Sequence, residues 1–220
     1  METTYIEIDS PDKHLSDVLE EIPSNVILYK TLTGIGATYS EIKAQRHSII
    51  IEPNVPVIIG KCNSDKHKND NLLGVYEGVT TDRIIKYLGA SRGKYYKILT
   101  TPESFTKVKD AFLIFNGKIY NTCFLLIDEA HKTIKDVDYR SDIVLPMNDF
   151  FKFKGKALVS ATPLKFSDPR FEENGFSIIK IEPTYDYAKE IDIKPSTNIL
   201  REVWEEFGWM PFITGQDKDR

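Results

Sequence analysis

Cysteine is nearly absent from this chain: Cys62 and Cys123 are the only two in 220 residues. They stand far apart in no metal-ligand spacing, which argues against a disulfide-stapled scaffold and a cysteine-built zinc site. Long apolar runs are missing too. None approaches the ~20 residues that cross a bilayer, so no membrane partner is expected. The opening METTYIEIDSPDKH has neither a basic start nor an apolar centre and does not read as a signal peptide. With these absences, a cytoplasmic location is the simplest expectation. A strong excess of one charge is also lacking. Against 29 Lys and Arg stand 33 Asp and Glu, a net charge of −4. That excludes a general nucleic-acid coat, though not a local groove. Lys61, Lys66 and Lys68 form one basic cluster, and Arg92, Lys94 and Lys97 another. Each reads equally as a contact patch or a solvated loop. There is no internal repeat and no low-complexity tract.

What the sequence does have is a rhythm. Short apolar runs recur at 26–29 (VILY), 48–51 (SIII), 72–76 (LLGVY), 98–100 (ILT), 124–127 (FLLI), 157–160 (ALVS) and 177–181 (SIIKI). They are apolar on consecutive residues and often β-branched, as strands buried on both faces are. Between them, 39–46, 81–88 and 103–112 have helix character, the second opening on Thr-Asp and the third just after Pro102. The alternation predicts an α/β fold, a mostly parallel sheet with helices on both faces. Residues 1–182 read as one domain, and 183–198, rich in Pro, Lys, Asp and Thr, as a linker. Residues 199–220, with a helix at 199–207 and a strand at 209–214, would be the start of a truncated second domain.

Four segments at predicted strand ends carry chemistry, and in an open α/β sheet such ends share one edge. The first is Thr33-Gly34-Ile35-Gly36-Ala37-Thr38. Its glycines let backbone N–H groups approach phosphate oxygens, a helix start follows, and Thr38 stands where a phosphate loop places its Mg²⁺ ligand. Ala37 occupies the position of the usual lysine. Lys30, at the end of the preceding strand, either contacts the phosphates in its place or caps the strand and points to water. The second is Asp128-Glu129-Ala130-His131 on the strand FLLI. Asp128 can hold Mg²⁺ through water, Glu129 can orient and deprotonate an attacking water, and His131 can couple the site to neighbouring loops. The third is Ser160-Ala161-Thr162-Pro163, whose hydroxyls could relay the nucleotide state to His131. The fourth, Thr100-Thr101-Pro102-Glu103-Ser104, either binds a backbone phosphate of nucleic acid through Thr101, Pro102 and Ser104 or simply caps a helix.

In this order the segments resemble the motifs of superfamily-2 helicases of the DEAD/DEAH group. The loop is similar to motif I, TPES to motif Ib, DEAH to motif II and SAT to motif III; Ser48 to Asn54 resembles motif Ia. The resemblance spans 26–181. It implies a RecA-like, P-loop NTPase fold, ATP with Mg²⁺ held by Thr38 and Asp128, and DNA or RNA as partner, touched at Pro53 and Asn54 as well. It also implies a second RecA-like domain or partner subunit, without which the ATPase half is no motor. The chain departs from the pattern in lacking the loop lysine and the motif Ia arginine. A second reading therefore stands beside the first: a degenerate, non-hydrolysing module for nucleic-acid or protein binding.

Overall fold

The computed structural model describes residues 1–32, 34–135, 144–162 and 168–185. The expected linker beyond residue 185, the elements expected at 199–207 and 209–214, Thr33 and Pro163 lie outside these residues. The described residues belong to one compact unit, Met1–Asp186.

Eight strands build one sheet: β1 (Thr3–Ile8), β2 (Val26–Lys30), β3 (Ser48–Ile51), β4 (Leu72–Val75), β5 (Lys97–Thr100), β6 (Phe124–Ile127), β7 (Gly155–Ser160) and β8 (Ser177–Pro183). Their spatial order is β1-β8-β2-β7-β6-β3-β5-β4. Every pairing between them is parallel. The helices are α1 (Leu15–Val18), α2 (Ala37–Lys43), α3 (Val55–Cys62), α4 (Thr81–Ala90), α5 (Phe105–Phe115), α6 (Ile119–Thr122), α7 (Ala130–Lys135), α8 (Val144–Phe150) and α9 (Arg170–Glu173).

Side chains alternate across a strand, and here the alternation feeds two cores. Ile49, Ile51, Ile98, Leu125, Ile127 and Leu158 pack with residues of α4, α5 and α8 on one face. Ile50, Leu99, Leu126, Val26, Leu28 and Val159 pack with Leu15, Ile42 and Ile58 of α1, α2 and α3 on the other. β3, β5 and β6 are buried at every position, which is why each carries consecutive apolar residues; Ser48, Lys97 and Thr100, at the ends of β3 and β5, are buried polar residues. The parallel sheet covered on both faces, expected from the sequence, is what the chain forms. All seven apolar runs are strands, and the three predicted helices are present within a few residues of their expected ends.

β1 and α3 are additions. In β1 (TTYIEI) only Ile8 is fully buried, because it is an edge strand beside β8. α3 starts directly after Pro53-Asn54 with Pro56 in its first turn, a position that needs no N–H partner within the helix.

The strand order positions the site. β2, β7, β6 and β3 are consecutive neighbours at the centre of the sheet. Ile51 is in register with Ile127, and Tyr29 with Ser160. The residues that end these strands are therefore adjacent on one edge.

Candidate nucleotide-binding cleft

Beyond the carboxyl ends of those strands lies a cleft of about 430 Å³. Its lining includes Lys30, Gly34, Gly36, Ala37, Thr38, Glu52, Lys61, Asp128 and Glu129. The glycine loop supplies one wall. Gly34 and Gly36 have φ of +78° and +88°, and Gly36 is the N-cap of α2, a backbone that a side chain would strain. The Ile35 carbonyl accepts from the Leu15 N–H, 2.9 Å away, which ties the loop to α1. Ile35 itself is buried in the core and Ala37 is buried at the start of α2.

Lys30 does not point to water. It is 7% exposed, and its Nζ lies 2.9 Å from both Asp128 Oδ1 and Glu129 Oε1. Burial pushes its pKa down, but the charges of Asp128 and Glu129 outweigh that and hold it above the usual lysine value. The expectation of a solvated strand cap is corrected: two carboxylates at the tip of β6 draw the ammonium across the end of β7.

Asp128 is the hub. Its Oδ1 also accepts from the Glu129 N–H at 2.8 Å, and its Oδ2 accepts from Thr38 Oγ1 at 2.5 Å. Glu129 has φ of +50°, a left-handed backbone that costs a residue with a Cβ about 1–3 kcal/mol. The strain turns the chain abruptly from β6 into α7, so that both carboxylates stay at the strand tip.

His131 of α7 and Ser160 of β7 do not line the cleft themselves; they connect to it through Glu129. The Ser160 hydroxyl donates to the Thr162 carbonyl at 2.7 Å and accepts from the Thr162 N–H at 3.1 Å. With its one proton used, it accepts from His131 Nδ1, 3.1 Å away. His131 Nε2 is then left 3.5 Å from Glu129 Oε2. A chain of contacts thus runs from Thr162 through Ser160 and His131 to Glu129.

One carboxylate of the cleft belongs to none of the four motif segments that carry chemistry. Glu52 ends β3 as Asp128 ends β6, and the Ile51–Ile127 register sets them side by side. Thr38 Oγ1 also lies 3.1 Å from Glu52 Oε1. A single hydroxyl proton cannot serve both carboxylates fully, and burial, then the charge of Asp128, push the Glu52 carboxyl up to about 7. The sequence does hold a signal for it: a carboxylate directly after the apolar run SIII, the same pattern that marks Asp128 after FLLI.

The residues expected to touch nucleic acid divide. Asn54 is exposed and lines the cleft, and Pro53 is half-buried. Thr101, Pro102 and Ser104 are buried. The Thr101 hydroxyl accepts from the Ser104 N–H at 3.3 Å, which is the work of a helix-start turn. Of the second basic cluster, Lys97 is buried and only Arg92 and Lys94 are exposed.

The oxygens of Thr38 and Asp128 are hard donors of the kind that Mg²⁺ takes. Among the described residues no three His, Cys, Asp or Glu side chains could hold a metal on their own. The donor set therefore fits a cation that brings phosphate and water ligands with it, as Mg²⁺ does on a nucleotide.

No family model and no curated protein sequence matches the chain. Its structure is loosely similar to solved ones, among them the following three. A hypothetical ATP-dependent RNA helicase from Sulfolobus tokodaii is 16% identical with a TM-score of 0.49, over 71% of this chain and 48% of that one. The Hef helicase domain from Pyrococcus furiosus is 14% identical at 0.48, over 78% and 38%. A DEAD box protein from the hyperthermophile Methanococcus jannaschii is 19% identical at 0.46, over 71% and 45%. The chain spans less than half the length of each.

Proposed function

We propose that this chain is the ATP-binding, ATPase half of a superfamily-2 DEAD/DEAH-type helicase or nucleic-acid translocase. The observation that carries the reading is the buried Lys30–Asp128–Thr38 constellation beside the glycine loop. A lysine, a paired carboxylate and a hydroxyl are the three side chains that a Mg²⁺-nucleotide site requires, and here the lysine comes from the end of β2 instead of the loop. Bound Mg²⁺ would supply charge neutralisation at the phosphates, held by Thr38 and Asp128. Lys30 sits at the cleft floor, already desolvated, where it can exchange a carboxylate contact for a phosphate oxygen. Glu129, on its strained turn, would orient a water and take its proton. His131, Ser160 and Thr162 form the route by which Glu129 senses the rest of the molecule. Nucleic acid is the proposed partner, along the edge that carries Asn54, and a second RecA-like domain would complete the motor.

The buried position of Ala37, where a phosphate loop has its lysine, keeps a second reading: a degenerate module that binds without hydrolysis. Calorimetric titration with ATP and Mg²⁺ separates them. Asp128→Asn should weaken Mg²⁺-dependent binding, and Glu129→Gln should spare binding and abolish phosphate release. Binding without hydrolysis in the parent chain would select the second reading; no binding at millimolar ATP, or equal losses of binding in both variants, would remove the first. Single-stranded oligonucleotide binding should be weak and fall steeply with salt, given the acidic net charge; fluorescence anisotropy at two salt concentrations checks it.

A further inference from the structure

The charges around the cleft are few enough to follow one at a time. Three lysines line it, Lys30, Lys61 and Lys132, against three carboxylates, Glu52, Asp128 and Glu129. The glycine loop between Gly34 and Thr38 has none. A bound polyphosphate would therefore meet cations only from the flanks. Lys30 is held by two carboxylates at 2.9 Å each. Lys132 has a side chain 46% exposed and 3.9 Å from Glu129. Lys61 differs from both. Its side chain is three-quarters buried on α3, and its carboxylate neighbour among the described residues is Glu52, with Nζ 3.7 Å from Oε1. That is an ion pair too long for a hydrogen bond. Glu52 meanwhile has its Oε1 on Thr38. Lys61 is thus a partly desolvated ammonium, aimed at the cleft and loosely engaged.

We propose that Lys61 is the second cationic contact to the phosphate groups of a ligand in this cleft, with Glu52 as the positioning residue that holds it there. The proposal rests on the reading of the cleft as a nucleotide site. It assigns the missing loop charge to two flanking lysines: Lys30 from β2 on one side, Lys61 from α3 on the other. Glu52 keeps the Lys61 ammonium over the cleft while it is empty and competes with phosphate for it when a ligand enters. Removing that carboxylate should therefore strengthen phosphate binding, and only as long as Lys61 is present.

The test uses the full chain and inorganic triphosphate, which isolates phosphate contacts from any contact to a base, with ATP in parallel and Mg²⁺ in both. Lys61→Met should weaken triphosphate binding about tenfold or more, the worth of a charge-assisted hydrogen bond, and Lys61→Arg should restore most of it. Lys43→Met makes the same change of charge outside the cleft, where Lys43 pairs with Asp70, and should shift binding by less than about twofold. Glu52→Gln should tighten binding, and the gain should vanish in the Lys61→Met background, a coupling that general loss of fold cannot produce. Thermal unfolding of each variant verifies that it is folded. If the parent binds triphosphate but Lys61→Met behaves as Lys43→Met, or if the Glu52→Gln gain persists without Lys61, this assignment is overturned and the nucleotide reading stands. If the parent binds neither triphosphate nor ATP, both fall together.

Discussion

A lysine seven residues before the expected position takes up the carboxylates of the cleft, and Lys30 thereby acquires two jobs that one substitution can separate. It neutralises Asp128, whose side chain is even more buried than its own, and Glu129. Breaking a buried pair by removing one partner costs about 3–5 kcal/mol, because the remaining charge is stranded. Lys30→Met should therefore lower the unfolding midpoint markedly and also reduce ATP affinity by about 1.5–3 kcal/mol. Adding Asp128→Asn should recover part of the stability, since less negative charge is then stranded, and none of the affinity. Thermal unfolding with calorimetry of the single and double variants reads both quantities. Recovery of affinity in the double variant would mean that Lys30 acts only as a counter-ion. The residues of the cleft are unequally legible in the sequence. Asp128, Glu129, Thr38 and the glycines announce themselves by type and order. Lys30 is visible but ambiguous, because nothing local in sequence shows that its partner Asp128 stands 98 residues away. Glu52 is marked only by its place directly after an apolar run, and Lys61 is not legible as a cleft residue at all, because strand register and the course of α3, which bring them to the cleft, are properties of the sheet.

Elements follow the sequence where burial dictates composition and depart from it where an edge or a proline intervenes. Six of the apolar runs are interior strands and can be read because both faces are covered, while β4, at the other edge of the sheet, can be read because Leu73 and Val75 are still buried. β1 cannot, since an edge strand exposes most of its side chains. α3 reads as part of a turn, because Pro53, Asn54 and Pro56 in four residues look like a loop. Yet α3 is held by an intimate contact. A Cβ on Gly74 of β4 would lie 2.9 Å from Ile58 Cγ2 and 3.2 Å from Cys62 Sγ, so the strand carries glycine where the helix comes down on it. Gly74→Val should overpack this contact and cost about 1–3 kcal/mol, a fall in the unfolding midpoint of about 2–12 °C for a domain of this size. Shortening the opposing side chain with Ile58→Ala in the same molecule should cost less than it does alone. Because Lys61 rides on α3, Gly74→Val should also weaken triphosphate binding if the helix shifts. An unchanged midpoint in Gly74→Val would show that the helix is not seated on the strand as described.

At the scale of the molecule, α2 spans the sheet from one edge to the other. Its start is the glycine loop at the cleft. Its end is fixed at the opposite edge by a buried polar network. Glu41 is fully buried and paired with Arg46 at 2.6 Å, whose guanidinium lies 3.5 Å from the Phe124 ring centre. Lys97 Nζ donates to the carbonyls of Glu41 and Ala44, at 2.7 and 2.8 Å, and to Ser48 Oγ at 3.0 Å. The ammonium meets the last carbonyls of the helix, where its charge also opposes the helix dipole. Burial nevertheless lowers its pKa from 10.5 to about 8, with Arg46 adding to the fall and Glu41 opposing it. Near neutral pH the ammonium is still charged, but the folded chain holds its proton less tightly than the unfolded chain does. Between about pH 8 and 10.5 the unfolded chain keeps this proton while the folded chain has released it, so the contribution of Lys97 to stability rises with pH across that window. The size is on the order of 3 kcal/mol. Other lysines and the tyrosines titrate nearby, so the measurement is a difference: urea unfolding of the parent and of Lys97→Met at pH 7, 8, 9 and 10. The parent should gain on the variant steadily from pH 8 upward. At pH 7 the variant should lose little, because removing the charge compensates for the lost hydrogen bonds. A difference that stays flat, or that falls as pH rises, would mean that the helix carbonyls stabilise the ammonium fully and that its proton is held as tightly in the folded chain as in water.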